Sequence, residues 1–266
     1  MDVDVLEFKV PEDNNKTLFV WDIQPCHTES QIYDGLYGVF SSFGPLYLLK
    51  VCPNAPLNPP GFYALIKFYS AAQASKAQRQ TDGHSLFQSS PLKVRLSTKH
   101  TPHFLSDSIR PLSHARCLEL ANHCLGFNGW TSDIITLKEL TNKEEEAEKE
   151  GGGRWRTLSF GCVVQLSFPH HRQMTRAAAV VEDSFTCTGP DVLLQKRCKL
   201  QKLVRDKALV QAFTAVLLIL LGNGKVMVEV KQTSDQFLLE QTDGVLQVNE
   251  FAPDEEEDEE LDLTVS

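Results

Sequence analysis

The chain has 266 residues, of which 42% are hydrophobic. That length suits two domains of roughly 100–150 residues and that apolar content can bury a core, so a wholly disordered chain is excluded. The net charge of −9 is unevenly spread: eight carboxylates lie within Asp254–Asp262, and without them the balance would be −1, whereas Lys16–Lys99 holds eight Lys and Arg against four Asp and Glu. Partition of this kind points to partners more directly than the sum does. The seven cysteines are odd in number and irregularly spaced, with no secretory leader before them, so a reduced intracellular setting is expected. The most apolar run, Ala212–Leu221, is half the length of the roughly 20 residues a bilayer span needs, and is expected to be a buried helix.

Residues 1–14 are polar and are expected to be a loose leader. Leu18–Val20 opens a strand pattern, and Glu29–Phe43 then carries apolar residues at helical spacing, with Thr28 or Ser30 as cap. Gly44–Pro45 stops that helix. Leu46–Val51 reads as a strand, the four prolines of Pro53–Pro60 as a loop, and Phe62–Phe68 as a third strand. An alanine-rich helix over Ala71–Thr81 and an alternating strand over Leu92–Leu96 complete a βαββαβ order. Thr98–Ser113 reads as a linker. Beyond it come a helix (His114–Leu125), a strand (Ile134–Leu140), a charged loop (Asn142–Gly153), a long strand (Thr157–Phe168) and a segment without steady period (His170–Pro190). A long helix is expected over Val192–Leu221, then a strand over Lys225–Lys231 and two weak apolar runs before the acidic tail.

Strand parity assigns the faces of the first sheet. Leu18, Val20, Ala64, Ile66 and Phe68 point inward, so Phe19 and Trp21 share the open face with Tyr63, Leu65 and Lys67. Lys93 and Arg95 point outward from the last strand. Rings on such a face can stack on bases, and Lys67, Lys93, Arg95 and Lys16 can meet phosphates. The strings Leu18-Phe19-Val20-Trp21-Asp22-Ile23 and Tyr63-Ala64-Leu65-Ile66-Lys67-Phe68 resemble the two signature strands of the RNA-recognition-motif family, over Lys16–Lys99. The resemblance implies a ferredoxin-like βαββαβ domain whose sheet binds RNA. Two positions depart from it: Leu65 stands where the family has a second stacking aromatic, and Gly61 where it has a basic residue.

In Leu120–Trp130 a helix ends at Gly126, and Phe127, Asn128, Gly129 and Trp130 follow at fixed spacing, with Phe127 and Trp130 expected to pack back on the helix. This string is similar to the early helix-and-turn of the Rad-fifty-two family of single-strand-annealing proteins. Ser159–Phe168 resembles that family's long hairpin strand, and Val204–Gly224 its long helix. The resemblance implies single-stranded DNA binding, self-association and a tie to recombination and the DNA-damage response. The family's adjacent basic pair falls near Thr214 and Ala215, neither of which is charged. A second basic patch stands earlier on the helix, at Lys196, Arg197, Lys199 and Lys202, with Arg205 and Lys207 beyond.

Chemistry beyond binding finds little support. His114, Cys117, His123 and Cys124 form no CxxC pair, and the face that Cys117 and Cys124 share on one helix is expected to be buried. No phosphate-binding loop, dinucleotide fingerprint or nucleophile–base pair is present. The expectation is therefore an α+β protein without cofactor or metal and without enzymatic activity. It comprises a leader (1–14), an RNA-recognition-motif domain (15–98), a linker (99–112), a Rad-fifty-two-like domain (113–250) and an acidic disordered tail (251–266). Its expected partners are RNA and single-stranded DNA, together with a second or further copies of itself as a dimer or small oligomer. No membrane is expected, and the location would be nucleus and cytoplasm. The alternative is a protein-interaction and self-association module without significant nucleic-acid affinity.

Overall fold

A computed structural model describes residues 3–56, 58–97, 110–145, 154–222 and 224–231. In chain order the described elements are β1 (Val3–Glu7), β2 (Thr17–Ile23), α1 (Glu29–Phe40), β3 (Leu46–Pro53), β4 (Phe62–Phe68), α2 (Ala71–Thr81) and β5 (Lys93–Leu96). They continue with α3 (His114–Leu125), β6 (Thr131–Glu145), β7 (Arg154–Phe168), β8 (Gln173–Cys187), α4 (Pro190–Thr214), β9 (Val216–Leu221) and β10 (Val226–Val230). The expected linker over 99–112 lies mostly outside these residues, as do the end of the charged loop and the acidic tail.

The first domain is an antiparallel sheet in the order β3-β4-β2-β5, backed on one side by α1 and α2. The helices begin where side chains replace missing backbone partners. Thr28 and Gln31 form a reciprocal capping box on α1, and the Ser70 hydroxyl accepts from the amides of Ala72 and Gln73 at the start of α2. Leu18, Val20, Ile32, Leu36, Phe40, Ala64, Ile66, Phe68 and Val94 make the core between the layers. Inward positions alternate with outward ones along β4 and along β2 as far as Trp21, as the period of two requires.

The second domain places α3 before a three-stranded meander, β6-β7-β8, and lays α4 across one face of it. Leu158, Phe160, Cys162, Val164, Leu166 and Phe168 on β7 meet Leu200, Val204, Ala208, Ala212 and Phe213 of α4. Here several expectations fail. The segment after His170 is a regular 15-residue strand, β8, paired along its whole length with β7. Its inward positions (Ala179, Val181, Phe185) alternate with outward Ala178 and Val180, and apolar residues on both sides erase the contrast that periodicity needs. The charged loop begins later than expected, because β6 continues to Glu145. The long helix stops at Thr214, and the rest of the apolar run is not helical. Val216–Leu221 is instead the central strand of a third sheet, β1-β9-β10.

The leader is not loose. Its residues Val3–Glu7 pair antiparallel with β9, and Leu6 and Phe8 are fully buried in the second domain's core, where Phe8 stacks on Phe213 at 4.6 Å between ring centroids. The chain then enters the first domain and returns beside its own entry. The Val10 amide donates to the Arg110 carbonyl at 2.9 Å, and Lys9 bridges Pro111. The first domain is thus inserted into the second. Tyr69 at the end of β4 and Tyr47 on β3 meet edge-to-face and pack on the second domain's core, and the Arg116 guanidinium lies 5.7 Å over the Tyr47 ring.

Candidate nucleic-acid interface

The face of the β3-β4-β2-β5 sheet turned away from its helices carries the residues that parity assigns to it. Cross-strand register builds a row of Lys50, Leu65, Phe19 and Arg95 from one edge of the sheet to the other. Beside this row, Tyr63 stands opposite Cys52, and Trp21 stands opposite Lys93. Phe19 is the hub: its ring centroid is 5.5 Å from that of Trp21 and 5.5 Å from that of Tyr63. All three rings are half-buried and belong to neither hydrophobic core. The Arg95 guanidinium lies 5.4 Å over the Trp21 ring, so its planar charge is held at the height of the aromatic layer. Lys67 continues β4 on the same face, opposite Leu48 and Thr17.

Local structure explains how the rings are held. Asp22 adopts a left-handed backbone with φ 62°, and the pairing of β2 with β4 shifts register between Val20 and Ile23. The buried Gln88 side chain clamps this irregularity. Its amide nitrogen donates to the Asp22 carbonyl at 2.9 Å, and its oxygen accepts from the Gln24 amide at 2.9 Å. The same bulge accounts for Gly61. A β-carbon there would lie 2.6 Å from the Ile23 carbonyl oxygen, so the basic residue common at this position in the RNA-recognition-motif family has no room. Burial and the neighbouring Cys52 raise the Tyr63 hydroxyl above its ordinary pKa, which keeps it a neutral donor.

The structure changes the list of basic residues. Lys16 lies off the face. It has the parity of Leu18, its turn packs beside α2, and its side chain is 17% exposed in an ion pair with Asp13 at 2.9 Å. Lys50 joins the face and was missed, although the same parity applied to Leu46–Val51 would have found it. Lys93 is exposed and ion-paired with Asp22 at 2.9 Å, an exposed contact that a phosphate can displace.

Comparison with known proteins assigns the chain. It is 51% identical to RAD52 motif-containing protein 1 of Danio rerio over 255 residues, 95% of this chain and 90% of that one. The chain belongs to the RAD52 motif-containing protein 1 family. Members from Gallus gallus and Homo sapiens are 40% and 38% identical, over 93% and 87% of this chain and 89% and 82% of theirs. A family model described as the RDM1 DSRM domain matches residues 112–217, from the entry to α3 through α4 and into β9. A solved structure titled "Structure of RNA15 RRM" covers 32% of this chain and 91% of its own, at 27% identity and a TM-score of 0.26. So low a score adds nothing to what strand order already establishes for the first domain.

In this family member the second basic patch is partly committed to packing. Lys196 pairs with Asp183 at 2.8 Å and lies 5.1 Å over the Phe185 ring, and Arg197 pairs with Glu139 at 3.0 Å, so both fasten α4 to the long sheet. Lys199 and Lys202 point to solvent. Trp130 packs as expected, its ring nitrogen donating to Asn122 at 3.0 Å and its ring edge-on to Phe213. Phe127 does not: it is 85% exposed, at the tip of a turn where Gly126 has φ 74° and a β-carbon on Gly129 would meet the Leu125 carbonyl at 2.2 Å. Burial pushes the Cys117 and Cys124 thiols up to about 12, so they stay protonated. Among the described residues no group of three or more His, Cys, Asp or Glu is placed to hold a metal, and no helix is long and apolar enough to cross a membrane.

Proposed function

We propose that this protein binds single-stranded nucleic acid, RNA or DNA, on the open face of its first sheet. The observation that carries the reading is the Phe19 hub, with two further rings at 5.5 Å and a cation at each end of its row. Bases stack on Phe19, Tyr63 and Trp21, each worth about 1–3 kcal/mol by alanine substitution. Leu65 supplies flat apolar contact between the rings in place of a fourth. Lys50, Lys67, Lys93 and Arg95 take the phosphates, which makes affinity fall with salt. The exposed Lys199 and Lys202 on α4 offer a further basic surface for phosphates. Resemblance to single-strand-annealing proteins, together with the RAD52-motif name of the relatives, supports a place in DNA recombination and the damage response. No catalytic step belongs to this reading.

The test is a titration of the full chain with matched RNA, single-stranded DNA and double-stranded DNA, followed by fluorescence anisotropy across a salt series. Preference for the single strands, a steep salt slope and loss of binding in Phe19→Ala and Tyr63→Ala are expected. No binding above background for any of the three would overturn it.

Self-association is a second proposal, favoured by one feature. Strand β6 runs 15 residues at an edge of the long sheet, and no other described strand pairs with its outer side. Open edges of that length invite a second chain. A dimer or small oligomer by light scattering at tens of micromolar is the expected result, and a monomer at that concentration would reject it.

A further inference from the structure

The β1-β9-β10 sheet has two apolar faces, and among the described residues only one of them is covered. Val216, Leu218, Val228 and Leu6 point into the second domain's core. The opposite face is built in rows by register: Val5, Ile219 and Met227 in one, Val3 and Leu221 in the next, and Glu7, Leu217 and Glu229 at the end. None of the six apolar side chains belongs to either hydrophobic core. Val3, Val5 and Met227 are 55%, 51% and 40% exposed. A continuous apolar run such as Val216–Leu221 is the pattern consistent with a strand buried on both faces.

We propose that this face is the docking site of the chain's own segment Phe237–Phe251. Three observations select that occupant. The first is composition: the segment holds Phe237, Leu238, Leu239, Val245, Leu246, Val248 and Phe251, enough large apolar side chains to cover six. The Asp243-Gly244 pair between the two runs permits a tight reversal, which lets both runs cross the same small sheet. The second is position. The chain is anchored to this sheet where the segment begins, since the Lys231 amide donates to the Ala215 carbonyl at 2.7 Å and the Lys231 ammonium pairs with Glu7 at 2.6 Å. Phe237 follows Lys231 by six residues, which extended span about 20 Å, whereas three strands are only about 10 Å across. The third is competition. A short tether supplies an effective concentration near millimolar, so a second copy at micromolar concentration is outcompeted by a segment of comparable affinity.

The experiment is hydrogen exchange by mass spectrometry on the full chain, at about 5 and about 100 µM, with the free peptide of residues 237–251 as the unprotected reference. Amides of that segment should exchange at least tenfold more slowly in the protein than in the peptide, equally at both concentrations. Val5→Glu should remove the protection. So should the double variant Leu238→Glu, Leu246→Glu, which lies outside the described domain and must leave the protection of α4 unchanged. Free-peptide exchange rates in the wild-type chain overturn the proposal. Protection that appears only at the higher concentration also overturns it and assigns the face to a second copy. Retention of protection in the double variant overturns it as well.

Discussion

Replacing Phe19 by alanine tests the interface at its hub. The ring touches Trp21 and Tyr63 and stands between Leu65 and Arg95, so its loss removes one stacking platform and loosens its neighbours. One stacked base is worth about 1–3 kcal/mol, which is roughly 5- to 150-fold in Kd. Stability suffers less, because Phe19 lies outside the core. The lost ring contacts are worth about 1 kcal/mol, or about 4–8 °C in Tm for a domain of this size. Anisotropy at 25 °C with a labelled single strand, repeated over a salt series, separates this effect from simple charge. A neutral ring releases no counterions, so Phe19→Ala should shift log Kd while keeping the wild-type salt slope. Arg95→Ala should instead flatten that slope by about 0.7, the value of one phosphate contact on a single strand. Binding of Phe19→Ala within twofold of wild type at every salt concentration would refute stacking on this face.

Asp22→Asn keeps a side chain that tolerates the left-handed backbone while releasing Lys93 and removing a negative charge from the face. Binding at low salt should tighten by about twofold, in keeping with an exposed pair worth roughly 0.5 kcal/mol, and weaker binding would show that Asp22 itself contacts the ligand. Phe8→Ala should cost about 3–5 kcal/mol, since the ring is fully buried against Phe213. Thermal unfolding would show the loss, and an unchanged Tm would mean that β1 does not belong to the second domain's core. The Lys231 and Lys9 ammoniums hold the Glu7 carboxyl below its ordinary value of 4.5. Its folded-state pKa is depressed, so its contribution is present above about 4.5 and lost as pH falls through the lower folded value. Glu7→Gln should therefore be less stable than wild type near pH 7, with the gap closing toward pH 3, and a gap that widens in acid would contradict the pairing.

The first domain was readable because its signals are local. Helical spacing in α1, the capping residue Thr28, and alternation along β4 and along β2 as far as Trp21 all sit within a few residues of what they specify. The ring cluster followed from parity alone. What could not be read depends on distant partners. Val3–Glu7 carries two carboxylates and no long pattern, and its strand character comes from pairing with a segment more than 200 residues away. The run Ala212–Leu221 is apolar at every position but Thr214, so its sequence has neither the period of a helix nor that of a strand, and only the register with β1 and β10 decides it. Lys50 was legible and overlooked, whereas the bulge at Asp22 that excludes a side chain at Gly61 has no sequence signature.

Threading one domain through the other sets the order in which the chain can be built. Strand β1 is the first described element to leave the ribosome, yet its partner β9 lies at Val216–Leu221. At roughly 5–20 residues per second, the wait is on the order of 10–40 s. During that interval Leu6 and Phe8 have no core to enter, while every strand and helix of the inserted domain is already available. The inserted domain can therefore fold first. By pairing residues 8–10 with residues 110–112, it holds the waiting strand beside the start of α3, where the second domain begins. The waiting strand is stored next to the place where it will be needed, and the last described strands, β9 and β10, close the domain around it.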